Sequence, residues 1–132
     1  MKNESPKRDG LRLQKLASQF HHEIARILVE DIFDEHLQKV TINHVKLTAD
    51  LHICRVYFTS LEGKEKLSVI LRAFGKCKGY LRSQLAKEIR LKFTPELDFY
   101  YDETEELFNN VKDIFAKLDA EKVSAPEQSD ED

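Results

Sequence analysis

Cysteine is scarce in this chain of 132 residues, which has only Cys54 and Cys77. Two thiols cannot build the disulfide framework of a small secreted domain, nor a zinc site made of cysteines alone. Long apolar runs are missing as well, since no stretch approaches the ~18 consecutive apolar residues of a membrane-spanning helix. Residues 1–10 are polar and lack the apolar segment of a secretory signal. These absences predict a protein of the reducing cytoplasm.

Recognisable catalytic motifs are missing too. The sequence has no phosphate-binding glycine loop ending in Gly-Lys-Ser/Thr and no Gly-x-Ser-x-Gly nucleophile turn. Its five histidines are scattered, and no two have the i, i+4 spacing that places two metal ligands on one helix face. His44 and His52 could meet across a hairpin, but no third ligand is evident. We therefore predict no enzymatic activity, no cofactor and no metal site.

The charges are segregated along the chain. Residues 1–92 carry 18 Lys and Arg against 11 Asp and Glu, a net charge of +7, whereas residues 93–132 carry 3 against 13, a net charge of −10. A basic body with an acidic end suggests a polyanionic partner for the basic part. The alternative is a solvated surface whose charges happen to segregate.

Apolar spacing predicts a helix and then a hairpin in the first half of the chain. Apolar residues recur in steps of three and four from Leu13 to Leu28, which predicts a helix over about residues 11–32 after a flexible N-terminus, residues 1–10. Two β-rich segments follow at residues 40–47 and 53–59, and they predict an antiparallel hairpin. The alternation changes phase near Asn43 and His44, which predicts a β-bulge there.

The segment from Lys64 to Ile89 has the apolar spacing of a helix but contains two glycines. Each glycine inside a helix costs about 1 kcal/mol relative to alanine. Because Gly75 and Gly79 stand four residues apart, we expect two helices joined by a kink or short turn there. A strand is predicted over residues 90–101, with Pro95 at an edge, a bulge or the strand start because proline has no N–H to donate.

The C-terminal part begins with a helix signal and ends in an acidic tail. Asp102 or Thr104 can cap a helix whose apolar period continues to Leu118. Residues 119–132 are acidic and nearly free of apolar side chains, which predicts a disordered tail. Three strands and packing helices in this order predict an α+β fold with a three-stranded sheet packed on helices.

The segment that contains the glycines carries a basic face opposite its apolar face. Between Arg72 and Lys92 there are seven basic residues and one acid, Glu88. A glycine on this face lets a phosphate backbone approach closely, and each phosphate that is neutralised releases counterions. The candidate RNA-binding residues are Arg72, Lys76, Lys78, Gly79, Arg82, Lys87, Arg90 and Lys92. The alternatives are an ordinary solvated helix face and a membrane-surface helix, of which the glycines disfavour the second.

Four blocks of sequence carry a resemblance to a known family. They are residues 40–51 (VTINHVKLTADL), 55–58 (RVYF), 78–82 (KGYLR) and 91–99 (LKFTPELDF), closed by Asp102. In order and spacing they resemble the bacterial ribosome-binding factor A family, and the resemblance covers about residues 11–118. It implies a type II KH-like domain in which a helix–kink–helix replaces the GXXG loop. The kink motif falls on Cys77-Lys78-Gly79, with Cys77 where the family usually has alanine.

The same resemblance implies a function. The expected protein is a cytoplasmic assembly factor without catalytic activity, which binds the free small (30S) ribosomal subunit and its 16S rRNA late in maturation. It would support processing of the 16S rRNA 5′ end and matter most in the cold. We expect a monomer without a membrane partner. A protein-interaction adaptor with an acidic tail is the alternative.

Overall fold

A long helix opens the described part of the chain. The computed structural model describes residues 6–104 and 111–118, and the chain divides into two compact units, residues 1–101 and 102–132. The first helix, α1 (Pro6–Glu30), buries Phe20 and Ile24 in the core. The predicted helix is confirmed, but it begins at Pro6 and so extends into the segment expected to be flexible. Proline suits a first helical turn, where an N–H would have no acceptor within the helix.

The predicted hairpin and its bulge are confirmed. β1 (Val40–Leu47) pairs antiparallel with β2 (Ile53–Ser60), and the register shifts between Ile42 and His44. Side chains alternate along a strand, so a single extra residue reverses which side chains face the core. The shift therefore leaves both Ile42 and Leu47 on the buried face.

One helix connects the hairpin to the third strand. α2 (Leu67–Glu88) follows a short 3-10 helix, and β3 (Glu96–Tyr101) pairs parallel with β2, which gives the strand order β1-β2-β3. Parallel neighbours need a long crossover, and a helix is its usual form. Pro95 directly precedes β3 and so lies at a strand start. The predicted strand is thus shorter than expected, because Arg90 and the residues up to Pro95 form a loop.

The predicted division of the glycine-containing segment into two helices is wrong. α2 continues without interruption through Gly75 and Gly79, and neither glycine has a positive φ. Phe74 and Leu81, which flank this stretch, are both fully buried. Burying one such side chain contributes about 1.5–3 kcal/mol, which exceeds the cost of about 1 kcal/mol for a helical glycine. Packing on both sides of the glycines therefore keeps the helix continuous.

The core lies between one face of the sheet and the two long helices. Phe58 of β2 packs on Phe74 of α2 with 5.1 Å between the ring centroids. Cys54 is fully buried, and Cys77 is half-buried against the core. Both cysteines thus act as small apolar residues, as the sequence suggested.

The second unit is described at residues 102–104 and 111–118. The Asp102 carboxylate accepts a hydrogen bond from the Thr104 N–H, with 3.0 Å between Oδ1 and N, at the point where a helix starts. Asp102 thus makes the kind of side-chain-to-main-chain hydrogen bond that a capping residue makes. Residues 111–118 are helical. The predicted acidic tail, residues 119–132, lies outside the described residues.

Candidate RNA interface

The outer face of α2 carries cations beside a stripe of small residues. An ideal helix turns by ~100° per residue, so steps of three and four place side chains on one face. The exposed small residues at such steps are Gly75, Gly79, Ser83 and Ala86. Arg72, Lys76 and Lys87 are exposed next to this stripe. The face is therefore low in relief and positively charged, which suits contact with a polyanion.

The two glycines of the stripe have no packing role inside the protein. A Cβ built on Gly75 or Gly79 would have no other part of the protein within 4 Å. Each glycine nevertheless lowers helix stability by about 1 kcal/mol relative to alanine. Packing within the described residues therefore does not account for the two glycines.

The loop after α2 extends the charged face. The helix ends at Glu88, and Arg90 and Lys92 are exposed in the loop that leads to β3. The loop folds back, so that Lys92 and the helix residues Gly79 and Ser83 line one shallow depression. The structure thus brings Lys92 to the stripe of α2, although this residue is not on the helix itself.

Arg82 has a different role from the exposed cations. Its Nε donates to the carbonyl oxygen of Pro95 at 3.0 Å, and one terminal nitrogen donates to the carbonyl oxygen of Thr94 at 2.6 Å. The other terminal nitrogen lies 3.5 Å from a carboxylate oxygen of Glu96. Arg82 is half-buried, and its donors are directed into the protein. It is a positioning residue that fixes the loop against α2.

The remaining predicted residues separate into exposed and half-buried groups. Arg72, Lys76, Lys87, Arg90 and Lys92 are the exposed cations, and we call this set the cation face. Lys78 is half-buried, like Arg82. The motif Cys77-Lys78-Gly79 continues the helix without a break.

Tyr80 fixes α2 at the end of α1. Its hydroxyl donates to the carboxylate of Asp31, with 2.9 Å between the two oxygens. This hydrogen bond raises the pKa of Tyr80, because the neighbouring carboxylate disfavours the phenolate. Tyr80 thus joins the two long helices on the side where α1 ends.

Sequence analysis missed one residue of this surface, Phe93. Its side chain is 63% exposed, and the Lys92 ammonium lies 5.9 Å from the centroid of its ring. The sequence predicted a strand here, so Phe93 was expected to pair in the sheet and was not considered as a surface residue. An aromatic residue directly after a lysine in a basic segment was the signal that could have identified it.

Nothing else in the described residues resembles a reactive centre. Burial raises the pKa of the Cys54 thiol to about 12 and also raises the pKa of Cys77, so both thiols are protonated and poorly nucleophilic near neutral pH. Within residues 6–104 and 111–118, no group of three metal-ligating side chains is gathered. None of the helices in that part of the chain has the length and apolar character needed to cross a membrane.

Comparison with known proteins places this chain in a family. The sequence model of ribosome-binding factor A matches residues 12–115. The chain belongs to the ribosome-binding factor A family. A Nitrosomonas europaea protein of that name is 36% identical over 99 residues, which cover 75% of this chain and 85% of the relative. A Geobacter sulfurreducens protein of the same name is 31% identical over 113 residues, which cover 86% of this chain and 96% of the relative.

Solved structures of ribosome-binding factor A share the fold. The crystal structure of the Thermus thermophilus protein has a TM-score of 0.60 at 25% identity and covers 67% of this chain and 93% of its own. A homology model of the Thermus thermophilus protein, fitted into a cryo-EM map of a 30S complex, has a TM-score of 0.57 at 24% identity, with 69% and 96% covered. The predicted α+β, KH-like fold class is therefore confirmed, apart from the two-helix division.

Proposed function

We propose that this protein binds the small (30S) ribosomal subunit through its 16S rRNA, with the cation face as the contact surface. The observation that carries the proposal is the cation face itself, five exposed cations beside a helix stripe without bulky side chains. Phosphate contacts of this kind supply most of the affinity in sequence-independent nucleic-acid binding. A low helix surface lets the phosphate backbone approach, and the flanking cations neutralise it.

Family membership supports the choice of partner. The curated relatives are named for ribosome binding, and the fitted Thermus thermophilus homologue is described in a complex with the 30S subunit. Extended to this chain, these names favour ribosomal RNA over other polyanions. The adaptor alternative depends on residues 119–132, which lie outside the described residues, so no described contact favours it.

The proposal includes the finer expectations that follow from the family resemblance. The protein would act in the cytoplasm as a monomeric, non-catalytic factor on the free subunit. It would bind late in maturation and support processing of the 16S rRNA 5′ end, with the greatest need in the cold.

The salt dependence of binding tests this proposal. Binding of the full chain to isolated 30S subunits and to protein-free 16S rRNA would be measured at several salt concentrations. Each neutralised phosphate contributes roughly −0.7 to −0.9 to the slope of log K against log salt, so five cations predict a slope of about −3.5 to −4.5. A slope near zero, or binding to the subunit with no binding to the rRNA, would favour a protein partner and contradict the proposal.

A further inference from the structure

Phe93 is an exposed aromatic ring in the middle of a charged surface. With 63% of its area accessible, the side chain contributes little to the core. Its neighbours around the depression beside α2 include Gly79, Ser83 and Lys92. Phe93 also lines a second depression, together with His52 and Glu96. The ring therefore borders two depressions.

The loop that carries Phe93 is anchored directly after the ring. Arg82 donates to the carbonyl oxygens of Thr94 and Pro95, the two residues that follow Phe93. Pro95 is itself fully buried. An exposed ring on an anchored loop loses little conformational freedom when a ligand covers it, which is the condition for an effective contact.

The charge around Phe93 indicates what covers it. The ammonium of Lys92 is 5.9 Å from the ring centroid, and Arg90 is exposed in the same loop. A purely apolar partner would leave these cations to be desolvated without compensation. A nucleotide matches both features, because its base can stack on the ring while its phosphate meets the cations.

We propose that Phe93 stacks on an unpaired base of the RNA that the cation face binds. This inference rests on the proposed function and adds a subsite to it. Stacking on an aromatic ring is available only to a base that is not enclosed in a duplex, so the proposal assigns a single-stranded or bulged nucleotide to this position. Since every base has a π-face, the subsite tolerates any base.

Three substitutions at Phe93 test the subsite. Phe93→Ala and Phe93→Leu remove the ring, and Phe93→Tyr retains it. Base stacking on an aromatic side chain is worth about 1–3 kcal/mol, so Phe93→Ala should weaken binding by about 5- to 150-fold. Phe93→Leu should lose affinity by at least about fivefold, whereas Phe93→Tyr should bind within about twofold of wild type.

Each variant would be measured on protein-free 16S rRNA and on isolated 30S subunits. The expected loss appears on both, with the wild-type salt slope, because no phosphate contact is removed. Equal binding by Phe93→Leu and wild type would overturn the stacking proposal. A loss on the subunit without a loss on the rRNA would do the same, because it would show an apolar contact with a ribosomal protein. Thermal unfolding of each variant checks that the fold is unchanged.

The two proposals fail in different ways. Suppose that wild type binds rRNA with the steep salt dependence and that Phe93→Ala binds equally well. The stacking proposal is then wrong, whereas the proposal that the cation face binds RNA is retained. If wild type itself does not bind rRNA, the proposed function fails, and the subsite fails with it.

Discussion

The guanidinium of Arg82 on α2 is hydrogen-bonded to the main-chain carbonyl of Pro95, with 3.0 Å between Nε and the oxygen. This bond joins the helix to the loop that precedes β3. It therefore fixes where Lys92 and Phe93 lie relative to Gly79. One basic residue of the segment thus bonds within the protein, while Arg72, Lys76 and Lys87 are exposed.

Replacing Arg82 with lysine should destabilise the fold. A lysine cannot reproduce the two directed bonds that the planar guanidinium makes to Thr94 and Pro95. A hydrogen bond to a charged group contributes about 1.5–3 kcal/mol, and partial exposure reduces this, so we expect a loss of about 1–2 kcal/mol in urea unfolding. The matched control is Arg72→Lys at an exposed position, with a change below about 0.5 kcal/mol. Equal stability of the two variants would contradict the positioning role.

Alanine at the two helix glycines should raise stability and lower RNA affinity. Gly75→Ala and Gly79→Ala each meet open space in a regular helix. Each should therefore stabilise the protein by about 0.4–1 kcal/mol in denaturant unfolding. The added methyl groups stand on the stripe, so binding to 30S subunits should weaken in the same proteins.

Gly63 provides the control for the glycine series. It precedes the 3-10 helix Lys64–Lys66 with φ of 77°, a conformation that disfavours side chains. Gly63→Ala should thus destabilise the protein by about 1 kcal/mol. If Gly79→Ala behaves like Gly63→Ala, α2 is not regular at that position.

The two cysteines should differ in their reaction with iodoacetamide. Burial, with the neighbouring charge of Asp98 as a smaller cause, raises the pKa of Cys54 to about 12, and burial also raises the pKa of Cys77. Cys77 is only half-buried, so at pH 8 it should be modified slowly and Cys54 only after unfolding. Peptide mass spectrometry over time measures both rates. Modification of Cys54 in the native protein at the rate of Cys77 would show that the core opens there.

Stability should fall at acidic pH partly through Glu62. Its carboxylate oxygen Oε1 lies 2.8 Å from His36 Nδ1, and this hydrogen bond holds the pKa of Glu62 below its usual value of 4.5. A carboxyl group whose pKa is lower in the folded state than in the unfolded state stabilises the folded protein. This stabilisation is fully present at pH values above the unfolded-state pKa, and it is lost as the pH falls through the folded-state pKa. The difference in unfolding free energy between wild type and Glu62→Gln should therefore shrink between pH 6 and pH 3.

The matched control for this titration is Glu65→Gln in the neighbouring 3-10 helix, where the glutamate is exposed. This variant removes one carboxylate from the same segment and leaves the contact between Glu62 and His36 in place. A pH-independent difference for Glu62→Gln would show that the contact with His36 does not favour the carboxylate.

Local patterns predicted the hairpin well. The phase change at Asn43 and His44 was visible because strand burial has a strict period of two, and one extra residue alters every later position. The helix at Gly75 and Gly79 was predicted wrongly, because intrinsic propensity is weaker than the burial of side chains on both sides of the glycines. Helix propensity is a property of the local sequence, whereas the burial of Phe74 and Leu81 depends on packing against the sheet.

The candidate site was predictable in charge but not in detail. The run of cations between Arg72 and Lys92 predicted a basic surface, and five of these residues are exposed. Nothing in the sequence distinguishes Arg82, which binds carbonyl groups, from an arginine that faces solvent. Phe93 was missed because a strand was predicted over residues 90–101, whereas residues 90–95 form a loop.

The most direct test of the account is charge reversal on the cation face. Arg72→Glu with Lys76→Glu should leave thermal unfolding nearly unchanged, since both side chains are exposed. The control is Arg12→Glu with Lys15→Glu on α1, two exposed residues of the same types, so that the net charge changes equally. Co-sedimentation with 30S subunits should be lost for the first pair and retained for the control. Wild-type binding by the first pair, or equal loss in both, would contradict the assignment of the cation face to RNA.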